Sequence, residues 1–283
     1  MKVWILPLLC VAGGVVFAQE SEVRTRQLWD SSLAAQRPPA AAATKPTPPK
    51  QASPPVRGLV GVTVWRLRPA QTTDKREIRA LIQEDGRDMG DWTPERIPAD
   101  SPLLEGQRVR ISVESGEEGY LYLVDRDEYA DGSKSDPYII FPTTRTRGGD
   151  NHVKPGVVIQ IPEEQDNPNY FKVVRSRADQ VNEVITILVS PKPMPGIGNT
   201  RNRIKLTENQ MAEWEKQSKT KAYRLEAAGQ AGKVLTVAEQ AASRGGVLTQ
   251  DDPLPQTMYR VDSKPGDTIM LQLPLKITPN SAK

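Results

Sequence analysis

Short runs in which branched aliphatic and polar side chains alternate recur along the chain after Gly58. The clearest run spans residues 108–114, where Val109, Ile111 and Val113 share one face of a half-buried strand and polar side chains share the other. The turn-forming residues 115–119 then lead into an apolar run at 120–124, and the two runs predict a β-hairpin. Further strand-like runs lie at 60–64, 138–141, 157–161, 170–174, 184–189, 257–261 and 269–277.

The arrangement of these runs predicts the fold class. Those before Pro195 follow one another without clear helical patterns between them, which favours an antiparallel β-sandwich, Ig-like or jelly-roll-like, over a parallel α/β sheet. Pro274 cannot donate a backbone hydrogen bond, so the last strand is expected at a sheet edge or with a bulge. Residues 77–82 fit either a short helix or a strand, because periodicity alone does not separate the two.

Two helix-start signals interrupt the strand pattern in the C-terminal part. Thr207 precedes Gln210 by three residues, and Thr236 precedes Glu239 by three, which is the spacing of a capping box. The pattern predicts helices at about 211–217 and 237–243. We therefore expect one β-rich domain over residues 58–278, with a helical insertion at about 197–252 and a short tail at 279–283.

The N-terminal residues have the composition of an export signal followed by a linker. Residues 1–18 combine one basic residue, a short apolar stretch and small residues before Gln19, which predicts a cleaved signal peptide too short to remain as a membrane span. Residues 19–57 are rich in Pro and Ala and predict a disordered tether. The expected location is therefore periplasmic or extracellular, with no stable membrane span after cleavage.

Cysteine and charge exclude several classes of function. Cys10 is the only cysteine and lies in the expected signal peptide, so neither disulfides nor thiolate chemistry is expected in the mature chain. Seven of the 38 Lys and Arg residues and three of the 35 Asp and Glu residues precede Gly58. The expected folded part is thus nearly neutral, which argues against a nucleic-acid partner.

Residue types that usually carry catalysis are scarce. His152 is the only histidine, which excludes a histidine-rich zinc site and leaves one position for a general base of that type. The adjacent carboxylates Glu163 and Glu164 would point to opposite faces of a strand and would not act as a pair. We therefore expect the chain not to be an enzyme.

The segment from Asp125 to Asn151 is the most unusual stretch, because aspartates, arginines, tyrosines and glycines are concentrated there. Arginine forks and exposed glycine amides could bind a carboxylate, sulfate or phosphate, and tyrosine rings could stack on a sugar. The alternative is that the arginines pair with nearby aspartates and fasten two loops, and that the rings only cover the core. The candidate ligand-binding residues are Tyr129, Tyr138, Arg145, Arg147, Asp150 and Asn151.

The same segment contains four aspartates that are candidate calcium ligands. Four aspartates, Asp125, Asp127, Asp131 and Asp136, could supply oxygen ligands, and Asp131-Gly132 is similar to the tight turn of a calcium loop. Their spacing departs from the helix–loop–helix motif, and the glutamate that closes that motif is absent. The alternative is a polar hairpin loop in which Asp and Gly serve turn geometry.

Several motifs resemble a known bacterial family, the domain of unknown function 4384. The motifs are Gly119–Arg126, Tyr129–Gly132, Phe141–Asn151, Trp92–Arg96 and Leu248–Pro253, and the resemblance extends from about Gly58 to Ile277. It implies an exported accessory module, because related domains occur in exported proteins or beside signalling or peptidase domains. It implies no catalytic residue, since none is established for the family.

These observations favour a non-catalytic exported binding module of the bacterial cell envelope. Its expected partner is an envelope protein or a glycan, bound through the loops between Asp125 and Asn151. The alternatives are an architectural, self-associating envelope protein and a carboxylate-dependent hydrolase.

Overall fold

The computed structural model describes residues 33–40, 58–84, 87–198, 200–217, 222–264 and 266–279, which form two packed β-sheets and a few short helices. The β-sandwich predicted from the alternating pattern is confirmed. The strands are β1 (Leu59–Pro69), β2 (Ala80–Glu84), β3 (Arg87–Ile97), β4 (Leu103–Leu104), β5 (Arg108–Ser115), β6 (Gly119–Tyr129), β7 (Tyr138–Phe141), β8 (His152–Val153), β9 (Val158–Ile161), β10 (Phe171–Lys172), β11 (Gln180–Ser190), β12 (Ile204–Lys205), β13 (Ala222–Glu226), β14 (Thr257–Val261) and β15 (Ile269–Thr278).

The first sheet is eight-stranded and is built around β1 and β5, which pair antiparallel along eight residues of each strand. Strands β10 and β9 share the other edge of β5, while β14 and β3 share the other edge of β1. Strand β13 extends the sheet beyond β14, and β2 extends it beyond β3. Residues 77–82, left open by the sequence, divide between a 3₁₀ turn at Arg76–Ile78 and the start of β2.

The second sheet has seven strands in the order β12-β7-β6-β11-β15-β4, with β8 also paired to β6. All its pairs are antiparallel except β15 with β4. Strand β15 pairs with β11 along one side, and on its other side only with β4 at Ile277 and Thr278. Pro274 therefore lies on the sparsely paired side of the sheet, as its missing N–H predicted.

The main core lies between the sheets and contains the aliphatic positions that alternation identified. Val109, Ile111 and Val113 contribute from the first sheet, and Leu121 and Leu123 contribute from the second, all at most 3% exposed. Burying such side chains supplies about 1.5–3 kcal/mol each relative to leaving them in water. This core fixes which face of β6 points inward.

The predicted hairpin between 108–114 and 120–124 is wrong. Among the described strands, β5 pairs only with β1, β9 and β10 in the first sheet, and β6 pairs only with β7, β8 and β11 in the second. The turn at 116–118 thus carries the chain from one sheet to the other. The polar face of β5 is also buried, because Ser112 accepts a hydrogen bond from Trp65 at 2.7 Å and Glu114 binds Arg37.

The helices begin where the capping signals placed them. Helix α2 (Glu208–Gln217) follows Thr207, and helix α3 (Val237–Ser243) follows Thr236, which forms the reciprocal capping box with Glu239. The stretch 197–252 is only partly helical, because β12 and β13 belong to the two sheets.

Residues 33–40 pack on the first sheet, although the sequence placed them in a disordered linker. One helical turn, α1 (Leu33–Gln36), buries Leu33 against Leu59 and Met258. Arg37 is 2% exposed and forms a two-pronged ion pair with Glu114, with N···O distances of 2.8 and 2.6 Å. Two buried apolar residues, Leu33 and Ala34, and the buried ion pair of Arg37 thus hold this segment, and the Pro- and Ala-rich composition of the whole linker did not reveal them.

The expected signal peptide at 1–18 and the remaining linker residues lie outside the described residues. Among the described residues, no helix has the length and apolar character needed to cross a bilayer.

Candidate functional site

The two central strands of the second sheet extend past the apolar core, and their inward-facing residues change character there. Along β6 the inward positions run Leu121, Leu123 and then Asp125. Along β11 they run from Ile187 through Ile185 to Glu183. Because successive side chains of a strand alternate between faces, the acids share the face of the core aliphatics. The space between the sheets therefore has a polar end.

Pairing register brings the two acids together. Asp125 lies opposite Ile185, and Asp127 lies opposite Glu183, so Asp125 and Glu183 are diagonal neighbours across the β6–β11 pair. Their carboxyl groups are in hydrogen-bond contact. A hydrogen bond between two carboxyl groups requires a proton on one of them.

Burial sets the protonation of this pair. It raises the pKa of Asp125 to about 6, with a further rise from the charge of Asp127 and an opposing effect from Arg203. It raises the pKa of Glu183 to about 8, with Asp125 and Asp127 contributing in the same direction. Between these values the pair carries one proton and one negative charge. Apart from the Glu183 carboxyl group, the buried Oδ1 of Asp125 has no hydrogen-bond donor in the described part of the chain.

The acid pair lies in a cavity of about 510 Å³ between the ends of the sheets. Ile140 of β7, Ile161 of β9 and Phe171 of β10 supply apolar walls. The volume falls within the range of about 300–1,000 Å³ that is usual for small-molecule sites. The cavity thus combines apolar walls with a few convergent polar groups.

Three arginines line the same cavity: Arg145, Arg201 and Arg203. All three are exposed, and none forms an ion pair with a carboxylate of the described residues, whereas twelve of the other sixteen described arginines do. Arg203 lies over the ring of Tyr138, 4.0 Å from its centroid. The cavity therefore holds three guanidinium groups that no carboxylate of the described ranges neutralises by direct contact.

Loop contacts hold this region in place. Thr146 donates a hydrogen bond to Asp166 at 2.5 Å, and Asp166 also accepts the backbone N–H of Glu163 at 2.8 Å. Thr144 donates its backbone N–H to the carbonyl of Thr200 at 2.8 Å, which ties the Arg145 loop to the segment that carries Arg201. Burial raises the pKa of Asp166, although the hydrogen bond from Thr146 opposes the rise.

The sequence-predicted ligand residues divide into two groups. Arg145 lines the cavity, and Tyr138 supports Arg203 beside it. The other four lie outside the cavity lining and form contacts with neighbouring residues of the protein. Tyr129 hydrogen bonds with Ser176 at 3.1 Å, Arg147 contacts Asp150 and Glu163, Asp150 accepts the His152 backbone N–H, and Asn151 donates to the Leu121 carbonyl.

The four aspartates considered for calcium are not brought together. Asp127 accepts hydrogen bonds from Ser176 and Gln180, Asp131 accepts from Ser133, and Asp136 pairs with Lys205 at 2.5 Å. Asp125 belongs to the cavity instead. Among the described residues, no group of three or more His, Cys, Asp or Glu side chains could hold a metal ion.

Glu183, Asp166, Arg201 and Arg203 were missed by sequence reasoning. For Glu183 a signal existed, because it stands two and four residues before the inward-facing Ile185 and Ile187 and therefore shares their face. For the other three, the local sequence gives no comparable signal.

A second cavity, of about 520 Å³, is lined by Arg96 and residues near 230–236 and 250–254. Its buried arginine is already occupied, because Arg96 pairs with Glu239 and donates to the Leu254 carbonyl at 2.7 Å. The cavity at Asp125 is therefore the better candidate for a ligand site.

Comparison with protein-family models, with curated proteins and with solved structures found no match to this chain.

Proposed function

We propose that the chain is a non-catalytic, exported binding module of the bacterial cell envelope, and that its ligand enters the cavity at Asp125. The observation that carries the proposal is the presence of three arginines without carboxylate partners around an apolar-walled cavity. Arg203 interacts electrostatically with Asp125, and Arg145 with Asp166, but none of the three guanidinium groups forms an ion pair with a carboxylate of the described residues. A bound anionic group would supply that partner.

The position of the sole histidine supports a binding role. His152 contacts Glu118 at 3.1 Å and packs edge-on against Tyr120, and it does not line the cavity. The commonest general base is thus separate from the site that a ligand would enter.

Affinity capture from the cell envelope tests the proposal. The wild-type chain should retain an envelope component, and the double variant Arg145→Ala/Arg203→Ala should lose it. The control Arg76→Ala/Arg87→Ala removes the same charge from two exposed arginines outside the cavity and should retain the component. Circular dichroism checks that all three proteins fold. Equal retention, or equal loss, by both double variants would contradict the proposal.

A second candidate, a carboxylate-dependent hydrolase, is favoured by the shared proton of Asp125 and Glu183. Hydrogen-bonded carboxyl groups are closer together than the carboxyl pairs of glycosidases, which are roughly 5–10 Å apart. Asp125 and Glu183 therefore correspond to the class of acid pairs that share one proton and activate a water molecule between them. A screen of polysaccharides and peptides, with Glu183→Gln as the inactive control, tests this candidate. Absence of turnover by the wild type removes it.

A further inference from the structure

We propose that the cavity binds a small acidic saccharide, with its carboxylate, phosphate or sulfate on the arginines and its hydroxyl groups on Asp125 and Glu183. This inference rests on the proposed function, because it assumes that the cavity is the ligand site. It adds the chemical class of the ligand.

The arginines define the anionic part of that ligand. Arg203 is held over Tyr138, and the contact of Thr144 with Thr200 joins the loops that carry Arg145 and Arg201. Guanidinium groups bind carboxylate, phosphate and sulfate oxygens through paired N–H donors. These groups have different sources, and the probes below distinguish them.

The acid pair defines the hydroxyl-bearing part. An ionised carboxylate only accepts hydrogen bonds, and apart from the Glu183 carboxyl group the buried Oδ1 of Asp125 has no donor among the described residues. A buried acceptor without a donor costs free energy, which a ligand hydroxyl would recover. A ligand that were anionic throughout would place negative charge beside Asp125, Glu183 and the nearby Asp127 and Asp166. The ligand therefore needs neutral donors next to its anionic group.

The walls fit the remaining surface of a sugar. Phe171 is half-buried and lines the cavity together with Ile140 and Ile161, so the C–H face of a pyranose ring can pack there. Tyr138, which the sequence suggested for stacking, has Arg203 over its ring. Phe171 rather than Tyr138 is thus the expected aromatic contact.

Isothermal titration with defined probes tests the inference. Glucuronic acid, galacturonic acid, glucose 6-phosphate and glucose 6-sulfate combine both features, glucose carries only hydroxyl groups, and inorganic phosphate and sulfate carry only the anion. We expect at least one acidic sugar to bind about tenfold or more tightly than glucose and than either inorganic anion. The acidic dipeptide Ala-Glu tests whether a peptide is preferred.

Variants test separately the arginines that would bind the anionic group and the acid pair that would bind the hydroxyl groups. Arg145→Ala/Arg203→Ala should weaken the acidic sugar by about tenfold or more, since removing a charged partner has effects of that size. Glu183→Gln should also weaken it, and Arg76→Ala/Arg87→Ala should leave it unchanged.

Three results would overturn the inference: no binding of any acidic sugar, equally tight binding of glucose or an inorganic anion, or tighter binding of Ala-Glu. If the envelope component is still lost only from the cavity variant, the proposed function stands and the saccharide assignment alone fails. If the cavity and control variants behave alike in capture, the proposed function itself fails.

Discussion

Replacing Glu183 with Gln should make the protein more stable at alkaline pH, because it removes a buried acid that ionises with difficulty. The pKa of Glu183 rises from 4.5 to about 8 on folding. Between these values the unfolded chain has released a proton that the folded chain retains. The contribution of Glu183 to the free energy of unfolding is therefore fully present below pH 4.5 and is lost as the pH rises through about 8.

The size of the effect follows from the same rise in pKa, from 4.5 to about 8. One pKa unit corresponds to about 1.4 kcal/mol, so this carboxyl group costs the folded state on the order of 5 kcal/mol at pH 9. Glutamine cannot ionise, and its amide still donates a hydrogen bond toward Asp125. The free energy of unfolding of Glu183→Gln should thus be close to that of the wild type near pH 4.5 and exceed it by on the order of 5 kcal/mol at pH 9.

Urea unfolding followed by tryptophan fluorescence from pH 4.5 to pH 9 measures this difference. Glu77→Gln is the matched control, because Glu77 is exposed and lies outside the cavity, and its difference from wild type should not change over this range. A difference for Glu183→Gln that is independent of pH, or that grows toward acid, would refute the reasoning.

Three further outcomes follow from the fold. Arg37→Ala should lower the free energy of unfolding by about 3–5 kcal/mol, because it leaves Glu114 charged and buried; a double-mutant cycle with Glu114→Gln checks the coupling, and a loss below about 1 kcal/mol would disprove it. Gly119→Ala should cost about 1–3 kcal/mol in the same assay, because its Cβ would stand 2.6 Å from the Ser190 carbonyl oxygen, and an unchanged midpoint would contradict that clash. Calcium or EDTA should leave the melting temperature unchanged, since the aspartates between 125 and 136 have separate partners; a rise with calcium would show a site that this arrangement does not explain.

Alternation predicted the sandwich and nine of the fifteen described strands, but it missed strands such as β3 and did not predict every pairing. Val109, Ile111 and Val113 point into the core as their spacing required. Alternation identifies which residues share a face, and it does not identify which strand lies alongside. The β5–β6 hairpin failed for this reason, and also because the polar face of β5 is covered by Trp65 and residues 33–40 rather than by water.

The candidate site could be predicted only in part, because its members come from distant parts of the chain. Asp125 and Arg145 were selected from an unusual local composition, and both line the cavity. Glu183 and Arg203 lie more than 35 residues from either of them and enter through the pairing of β11 and the loop before β12. The local sequence therefore identified Asp125 and Arg145, whereas Glu183 and Arg203 are brought to the site by the sheet topology.

Strand register links the site to the fold more closely than any single side chain does. A slip of one residue between β6 and β11 would move every inward side chain of one strand to the opposite face. The aliphatic residues of the core forbid that slip, and so they also hold Asp125 diagonal to Glu183. Just beyond the acid pair, the register shifts by one extra residue, Val181, which is a β-bulge. A bulge reverses the alternation beyond it, so the inward-facing acidic positions of β11 end there. Core packing therefore fixes where the acid pair lies, and the bulge limits how far the acidic positions extend.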